Sequence, residues 1–286
     1  MQKQRKQRKE RKQDSVYTFD QYFTQPVVVD QCIDFFLSKY SWDDFKLVVE
    51  PSAGLGSFFY EIPATKRIGI ELDPRLCADH PSFIRDSFYN WSTKNNKVAV
   101  IGNPPFGTQN SESVKFFNHA AKFADVIAFI IPRTWENTSI QNRLNLNFSL
   151  LDSLILDNKC FEGEKSTSVR CCFQIWKRTE KPRKKVKEVI THDDWEFLKY
   201  TGSGNDLHPP ADADFVVLAY GSNPGQMSDD LYRWRPKSVH FIKANIDVAE
   251  LKSRFASLDF TSSDNSARQS SLGKAKLVKL YGEHYV

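Results

Sequence analysis

The sequence contains no run of roughly 18 apolar residues, the length that crosses a bilayer as a helix, and no apolar core follows its basic first residues as it would in a secretory signal. Neither a spanning nor a signal-led chain is expected. Cysteine is scarce: Cys32, Cys77, Cys160, Cys171 and Cys172 are odd in number, and none sits in a CxxC or other metal-ligand spacing. A disulfide framework and a zinc ribbon are thereby set aside, no metal is expected, and the thiols read as reduced core residues. Internal repeats are lacking, as are low-complexity segments beyond a basic arm. What remains is an ordinary composition, 40% hydrophobic and 26% charged over 286 residues. That is enough chain for one α/β core and a smaller appended region.

The net charge of +5 conceals its distribution. Residues 1–12 carry seven basic side chains against Glu10, and residues 177–187 carry seven against Glu180, so each segment is +6 and the rest of the chain is −7. Concentrated basicity of this kind is what attraction to a phosphate backbone requires. Solvated tails and linkers show the same pattern, so charge alone does not decide the matter.

Residues 1–14 read as a basic flexible arm. From Pro26 to Tyr40, Val28, Cys32, Phe35 and Phe36 recur at helical spacing behind a proline suited to a first turn. Short apolar runs follow at Lys46–Glu50, Arg67–Glu71, Val98–Gly102 and Val126–Ile131, with the helical stretch Glu112–Phe123 between the last two. Bounded apolar runs of this length suit central parallel strands covered on both faces, and the alternation predicts a doubly wound, Rossmann-like α/β sheet. Leu150–Leu156 and Val169–Trp176 are expected to add an antiparallel edge. The predicted organisation is a catalytic domain over 15–178, a basic linker with loops over 179–212, and a small α+β region over 213–286.

Three strand ends carry the chemistry. The first apolar run ends in Glu50 and enters Pro51-Ser52-Ala53-Gly54-Leu55-Gly56, where glycines admit a ligand to the backbone and a following helix N-terminus is expected to offer free N–H groups. About 20 residues on, Glu71 closes the next strand, a place from which a carboxylate accepts both hydroxyls of a ribose. Asp86 is then positioned to accept a cofactor's adenine amino group, with Phe88 over its ring. Directly after Val98–Gly102 comes Asn103-Pro104-Pro105-Phe106-Gly107. Two prolines fix the backbone and donate no hydrogen bond of their own. The Asn103 side chain and the Pro104 carbonyl supply two acceptors, and Phe106 supplies a flat apolar face. Methylation of a planar amino group needs this set: both N–H bonds are held, so that the lone pair leaves the ring as charge develops. An extruded base is stacked meanwhile.

Over residues 17–177 the chain resembles the S-adenosylmethionine-dependent amino-methyltransferases of the (N/D)PP(Y/F) type, and its motif order resembles the gamma class of N6-adenine methyltransferases. Tyr22-Phe23-Thr24-Gln25-Pro26 is similar to the segment that leads that class, where Phe-Thr-Pro is common; Gln25 is a departure. The resemblance implies a class I methyltransferase with a seven-stranded, mostly parallel sheet and S-adenosyl-L-methionine as cofactor. It places Thr24 and Gln25 near the methionine moiety and Glu50, Ala53 and Gly54 around its amino end. Glu71 would hold the ribose, and Leu72, Asp86 and Phe88 would surround the adenine. Pro26, Pro51, Gly56, Ser87 and Asn103 complete the implied cofactor-binding set.

Asn103, Pro104, Pro105 and Phe106 are the implied catalytic residues, and Gly107, Arg133 and Trp135 join Phe106 against the target. The implied reaction is methylation of adenine N6 in nucleic acid, with DNA slightly ahead of structured RNA such as ribosomal RNA. Cytosine N4, a protein glutamine amide and an inert module of the same fold are the alternatives. Two C-terminal stretches, Trp234-Arg235-Pro236-Lys237 and Ser266–Lys274, mix aromatic, basic and hydroxyl groups suited to nucleic acid. The expected location is cytoplasmic, or nucleoid or nuclear if DNA is the substrate.

Overall fold

Apolar runs of four to seven residues become strands because each is buried along nearly its whole length. The structure, a computed structural model, describes residues 22–156, 159–162, 169–204, 206–260 and 271–285. The basic arm and Ser266–Ser270 lie outside the described residues. The chain divides into two units, Met1–Lys185 and Val186–Val286.

The first unit contains α1 (Pro26–Leu37), β1 (Leu47–Glu50), β2 (Arg67–Glu71), α2 (Pro74–Asp79), β3 (Ile84–Arg85) and β4 (Val98–Gly102), then α3 (Ser111–Ala120), β5 (Val126–Pro132), α4 (Thr138–Gln141), β6 (Phe148–Ile155) and β7 (Cys171–Arg178). Its seven strands lie in the order 3-2-1-4-5-7-6. Strands β1 to β5 are parallel, and β7 runs antiparallel to both β5 and β6. The antiparallel strand is thus inserted one place in from the edge, with β6 outermost. Both faces of the sheet are covered, as the polar-free runs require. Val98, Val100, Ile127, Phe129 and Trp176 share one core with Val114, Phe117 and Ala120 of α3. On the opposite face, Phe173 meets Phe35 of α1 edge-on at 6.4 Å and stacks on Phe58 at 6.3 Å.

Two expectations are corrected. The helix awaited after β1 is a single 3₁₀ turn, Phe59–Glu61. Gly56 is left-handed at φ 79°, and Pro63 follows soon after, so too little chain remains between them for more than one turn. Nor is 179–212 a linker. Residues through Lys185 belong to the first unit, whereas β8 (Trp195–Leu198) pairs within the sheet of the second. Trp195 is buried there and Phe197 partly so, with Glu196 exposed between them. This period-two signal is short and sits among polar neighbours, which hid it.

The second unit continues with the hairpin β9 (Thr201–Ser203) and β10 (Asp206–His208), then β11 (Phe215–Leu218), β12 (Met227–Ser228), β13 (Val239–Ala244), α5 (Val248–Ala256) and α6 (Lys274–Gly282). Its antiparallel sheet has the order 12-11-13-8. Trp195, Phe215 and Ile242 pack with Phe255 of α5 and Leu277 and Tyr281 of α6 in one core. Among the described residues, no helix is long and apolar enough to cross a membrane.

Candidate functional site

A cavity of about 360 Å³ opens at the carboxyl ends of β1, β2, β3 and β4. This is where an open α/β sheet binds its ligand, because crossovers to opposite faces part there and leave a crevice. The volume lies in the range of about 300–1,000 Å³ usual for small-molecule sites. Glu71 ends β2 and lines the cavity with Leu72. One Glu71 oxygen accepts the Gly54 amide at 2.7 Å and the other accepts the Asp73 amide at 2.8 Å. These bonds fix the carboxylate and leave each oxygen a lone pair for a further donor. The approach depends on Gly54, which is left-handed at φ 54°. Leu72 keeps 52% of its surface exposed, so it offers an apolar face to a ring. Asp86 also lines the cavity, and one of its oxygens accepts from the Ser87 amide and the Asn90 side chain. Phe88 is buried beneath and stacks on Phe116 at 5.3 Å.

The opposite wall is the turn after β4, where Asn103, Pro104, Pro105 and Gly107 line the cavity. The Asn103 side-chain nitrogen donates to the Tyr22 carbonyl at 2.9 Å and to the Thr24 hydroxyl at 3.2 Å. Both amide hydrogens are therefore spent. The amide oxygen Oδ1 is buried with no hydrogen-bond partner. A buried acceptor left unpaired costs roughly 1–3 kcal/mol, so it awaits a donor. The Ser52 hydroxyl donates to the Asn103 backbone carbonyl at 3.2 Å and pins the turn to β1, while the Pro104 carbonyl accepts nothing among the described residues. Phe106, expected to face the target, is instead 7% exposed and off the cavity lining: Tyr22 lies nearly parallel to its ring at 6.0 Å and Phe161 stands edge-on at 6.1 Å, so its faces are already packed.

The structure gathers Pro51, Gly54, Glu71, Leu72, Asp86, Ser87, Phe88, Asn103, Pro104, Pro105 and Gly107 around this cavity. Other residues singled out from the sequence sit elsewhere. Glu50 is 2% exposed, and its carboxylate accepts the Phe58 amide at 3.4 Å and the Phe59 amide at 2.7 Å. It therefore satisfies the very N–H groups that were expected to await a ligand, and burial pushes its carboxyl well above the usual range. Ala53 packs with Phe59 and Phe83, and Gly56 turns the chain behind it. Thr24 acts through Asn103. The Gln25 side chain donates to the Phe161 carbonyl at 3.3 Å, and Pro26 starts α1. Trp135, expected against the target, is wholly buried against Phe117 and is a core residue instead. Arg133 pairs with Glu136 at 3.7 Å and lies off the cavity lining.

Tyr22, Phe23, Ser52, Tyr89, Glu112 and Phe116 line the cavity without having been assigned to it from the sequence. Tyr89 follows Phe88 directly and Glu112 opens α3 just past the Pro-Pro turn, so proximity to the motifs was their available signal. The Tyr89 hydroxyl donates to Glu112 at 3.1 Å, and burial beside that carboxylate raises its pKa.

No protein-family model matches the chain, and no curated protein matches it. Solved structures do. A candidate RNA methyltransferase from Pyrococcus horikoshii is 18% identical over 56% of this chain and 88% of its own, with a TM-score of 0.43. The 23S rRNA methyltransferase ErmE is 16% identical over 56% and 71%, at 0.40. Magnesium protoporphyrin IX methyltransferase from Synechocystis PCC 6803, solved with S-adenosylmethionine bound, is 12% identical over 54% and 79%, at 0.42. These likenesses are weak and concern a little over half of the chain. The strand order 3-2-1-4-5-7-6, with its antiparallel β7, is that of the class I methyltransferase fold.

Proposed function

We propose that the protein transfers a methyl group from S-adenosylmethionine to an exocyclic amino group, N6 of adenine in nucleic acid. The observation that carries this reading is Asn103: its amide nitrogen is held by Tyr22 and Thr24, and its buried Oδ1 is left without a donor beside the cavity. An acceptor oriented in this way, next to a free Pro104 carbonyl, suits the two N–H bonds of a planar amine. Holding both favours a more tetrahedral nitrogen and frees its lone pair for attack. Tyr22, which lines the cavity and is backed by the buried Phe106 ring, offers an apolar wall for the base.

The cavity's residues fit the cofactor. Glu71 keeps two lone pairs for ribose hydroxyls, Leu72 and Phe88 bracket the place for an adenine ring, and Asp86 has a carboxylate oxygen for its amino group. When bound, S-adenosylmethionine supplies an electrophilic methyl group. Nothing in the cavity argues for a protein glutamine in preference to a base, whereas the two +6 segments favour a polyanion. The test is transfer of labelled methyl to unmodified DNA, structured RNA and a protein extract, followed by nucleoside analysis. Label in N6-methyladenine supports the reading and identifies the polymer; label in protein alone overturns it.

A further inference from the structure

In the second unit, the loop from 229 to 238 joins β12 to β13 and is anchored from below. Leu231 and Trp234 pack against Val216, Leu218, Val239 and Phe241. Between these two anchors the chain turns Tyr232 outward, and at 76% exposure it is the most exposed large apolar side chain among the described residues. The loop is fixed by its own polar groups. One Asp230 oxygen accepts the amides of Tyr232 at 3.0 Å and Arg233 at 3.1 Å, and the Ser238 amide and hydroxyl both donate to the Arg235 carbonyl. The two acids of the loop are thereby occupied, since Asp229 is ion-paired with Lys252. The cations are not: Arg233, Arg235 and Lys237 are exposed and have no acidic partner among the described residues. Arg233 lies over the Trp234 ring at 5.2 Å, which holds its guanidinium on the loop surface.

We propose that this loop is a docking surface for single-stranded nucleic acid, with Tyr232 stacking on one unpaired base and Arg233, Arg235 and Lys237 taking the flanking phosphates. The inference rests on the nucleic-acid reading above and adds the form of the polymer. A ring held clear of the protein offers a face that every base can use, and the cations supply backbone attraction without sequence preference. In a duplex the base faces are already stacked, so Tyr232 has nothing to add there. An acidic peptide would satisfy the cations and leave the ring unused.

The test uses the full chain and a short fluorescein-labelled oligonucleotide, single-stranded or annealed to its complement, read by anisotropy without cofactor. Tyr232→Ala is expected to weaken single-strand binding about ten-fold and to leave duplex binding unchanged, while Tyr232→Phe binds as the wild type does. Replacing Arg233, Arg235 and Lys237 together by Gln is expected to lower the salt slope on single strands by about two, at about 0.7 per phosphate contact. The proposal is overturned if Tyr232→Ala binds as the wild type does or loses duplex binding equally. It is also overturned if polyglutamate displaces the single strand as well as unlabelled oligonucleotide does, or if the wild type binds no single strand. Absence of methyl transfer with these binding results intact would overturn the proposed activity and leave the surface standing.

Discussion

At the residue scale, the acids that close strands were legible because a buried strand rarely ends in a carboxylate without a task for it. Their tasks were not equally legible. Glu71 and Glu50 occupy equivalent ends of β2 and β1, yet Glu71 lines the cavity and Glu50 turns inward to bond the Phe58 and Phe59 amides. The difference arises from the missing helix after β1, which no local propensity announced. Burial raises the Glu50 carboxyl above its ordinary value of 4.5, so the fold favours the protonated form. Its contribution to stability is then fully present below that value and is lost as pH rises through the raised one. Glu50→Gln carries no titrating group. The wild type is therefore expected to lose stability relative to this variant as pH rises above the ordinary carboxylate value of 4.5, measured by urea unfolding. A difference independent of pH would mean that Glu50 titrates normally. At Asn103 the expectation is kinetic. Asn103→Ala and Phe106→Ala should keep cofactor affinity by calorimetry while turnover falls roughly 100-fold or more. Unchanged turnover in both would remove these residues from the site.

At the element scale, strand positions were read closely because burial on both faces writes continuous apolar runs, and β2 and β4 keep the predicted bounds Arg67–Glu71 and Val98–Gly102. Short elements escaped: the two-residue β3 and the four-residue β8 are too brief for a periodic signal. Two contacts that join elements were equally invisible. Gly107 is left-handed at φ 67°, and a Cβ there would stand 2.8 Å from the Glu112 Cγ and 2.9 Å from its backbone nitrogen. The Pro-Pro turn and the first turn of α3 thus meet with no room for a side chain. Gly107→Ala is expected to cost about 1–3 kcal/mol, seen as a lower urea midpoint at unchanged slope; a variant as stable as the wild type would show that turn and helix are not rigidly joined. At the other end of α3, Arg178 donates to the Ala121 carbonyl at 2.6 Å and the Ala124 carbonyl at 2.9 Å, with its guanidinium 4.7 Å over Phe148. These are orphan carbonyls of a helix end and the turn beyond it. Arg178→Ala should cost about 2 kcal/mol in the same experiment, and Arg178→Lys should not restore it, because an ammonium lacks the planar fork. Full stability of the lysine variant would reduce the role of Arg178 to charge alone.

At the scale of the whole molecule, the sequence predicts two basic segments of equal charge, and the structure makes the second one unequal to its count. Arg178 is committed to the end of α3, and Arg183 donates to the Phe148, Gln141 and Leu144 carbonyls with its guanidinium over Trp176. Burial lowers the Arg183 pKa, as expected of a guanidinium enclosed by carbonyls and a ring. Composition counts charges and cannot tell a clamp from a free cation, so this division was beyond the sequence. Lys177, Lys181, Lys184, Lys185 and Lys187 remain exposed and available to phosphate. The salt dependence of nucleic-acid binding separates these roles, because its slope counts the phosphates neutralised, at about 0.9 per contact on duplex DNA and about 0.7 on single strands. Deleting residues 1–12, with their seven cations, is expected to weaken binding and flatten the slope. Replacing the five exposed lysines by glutamine should flatten it less, and replacing Arg178 and Arg183 by alanine should lower stability while leaving the slope of the folded protein unchanged. A slope unaffected by removal of residues 1–12 would make that segment a bystander, and a slope that falls with the two arginines would mean that they leave their carbonyls to meet the nucleic acid.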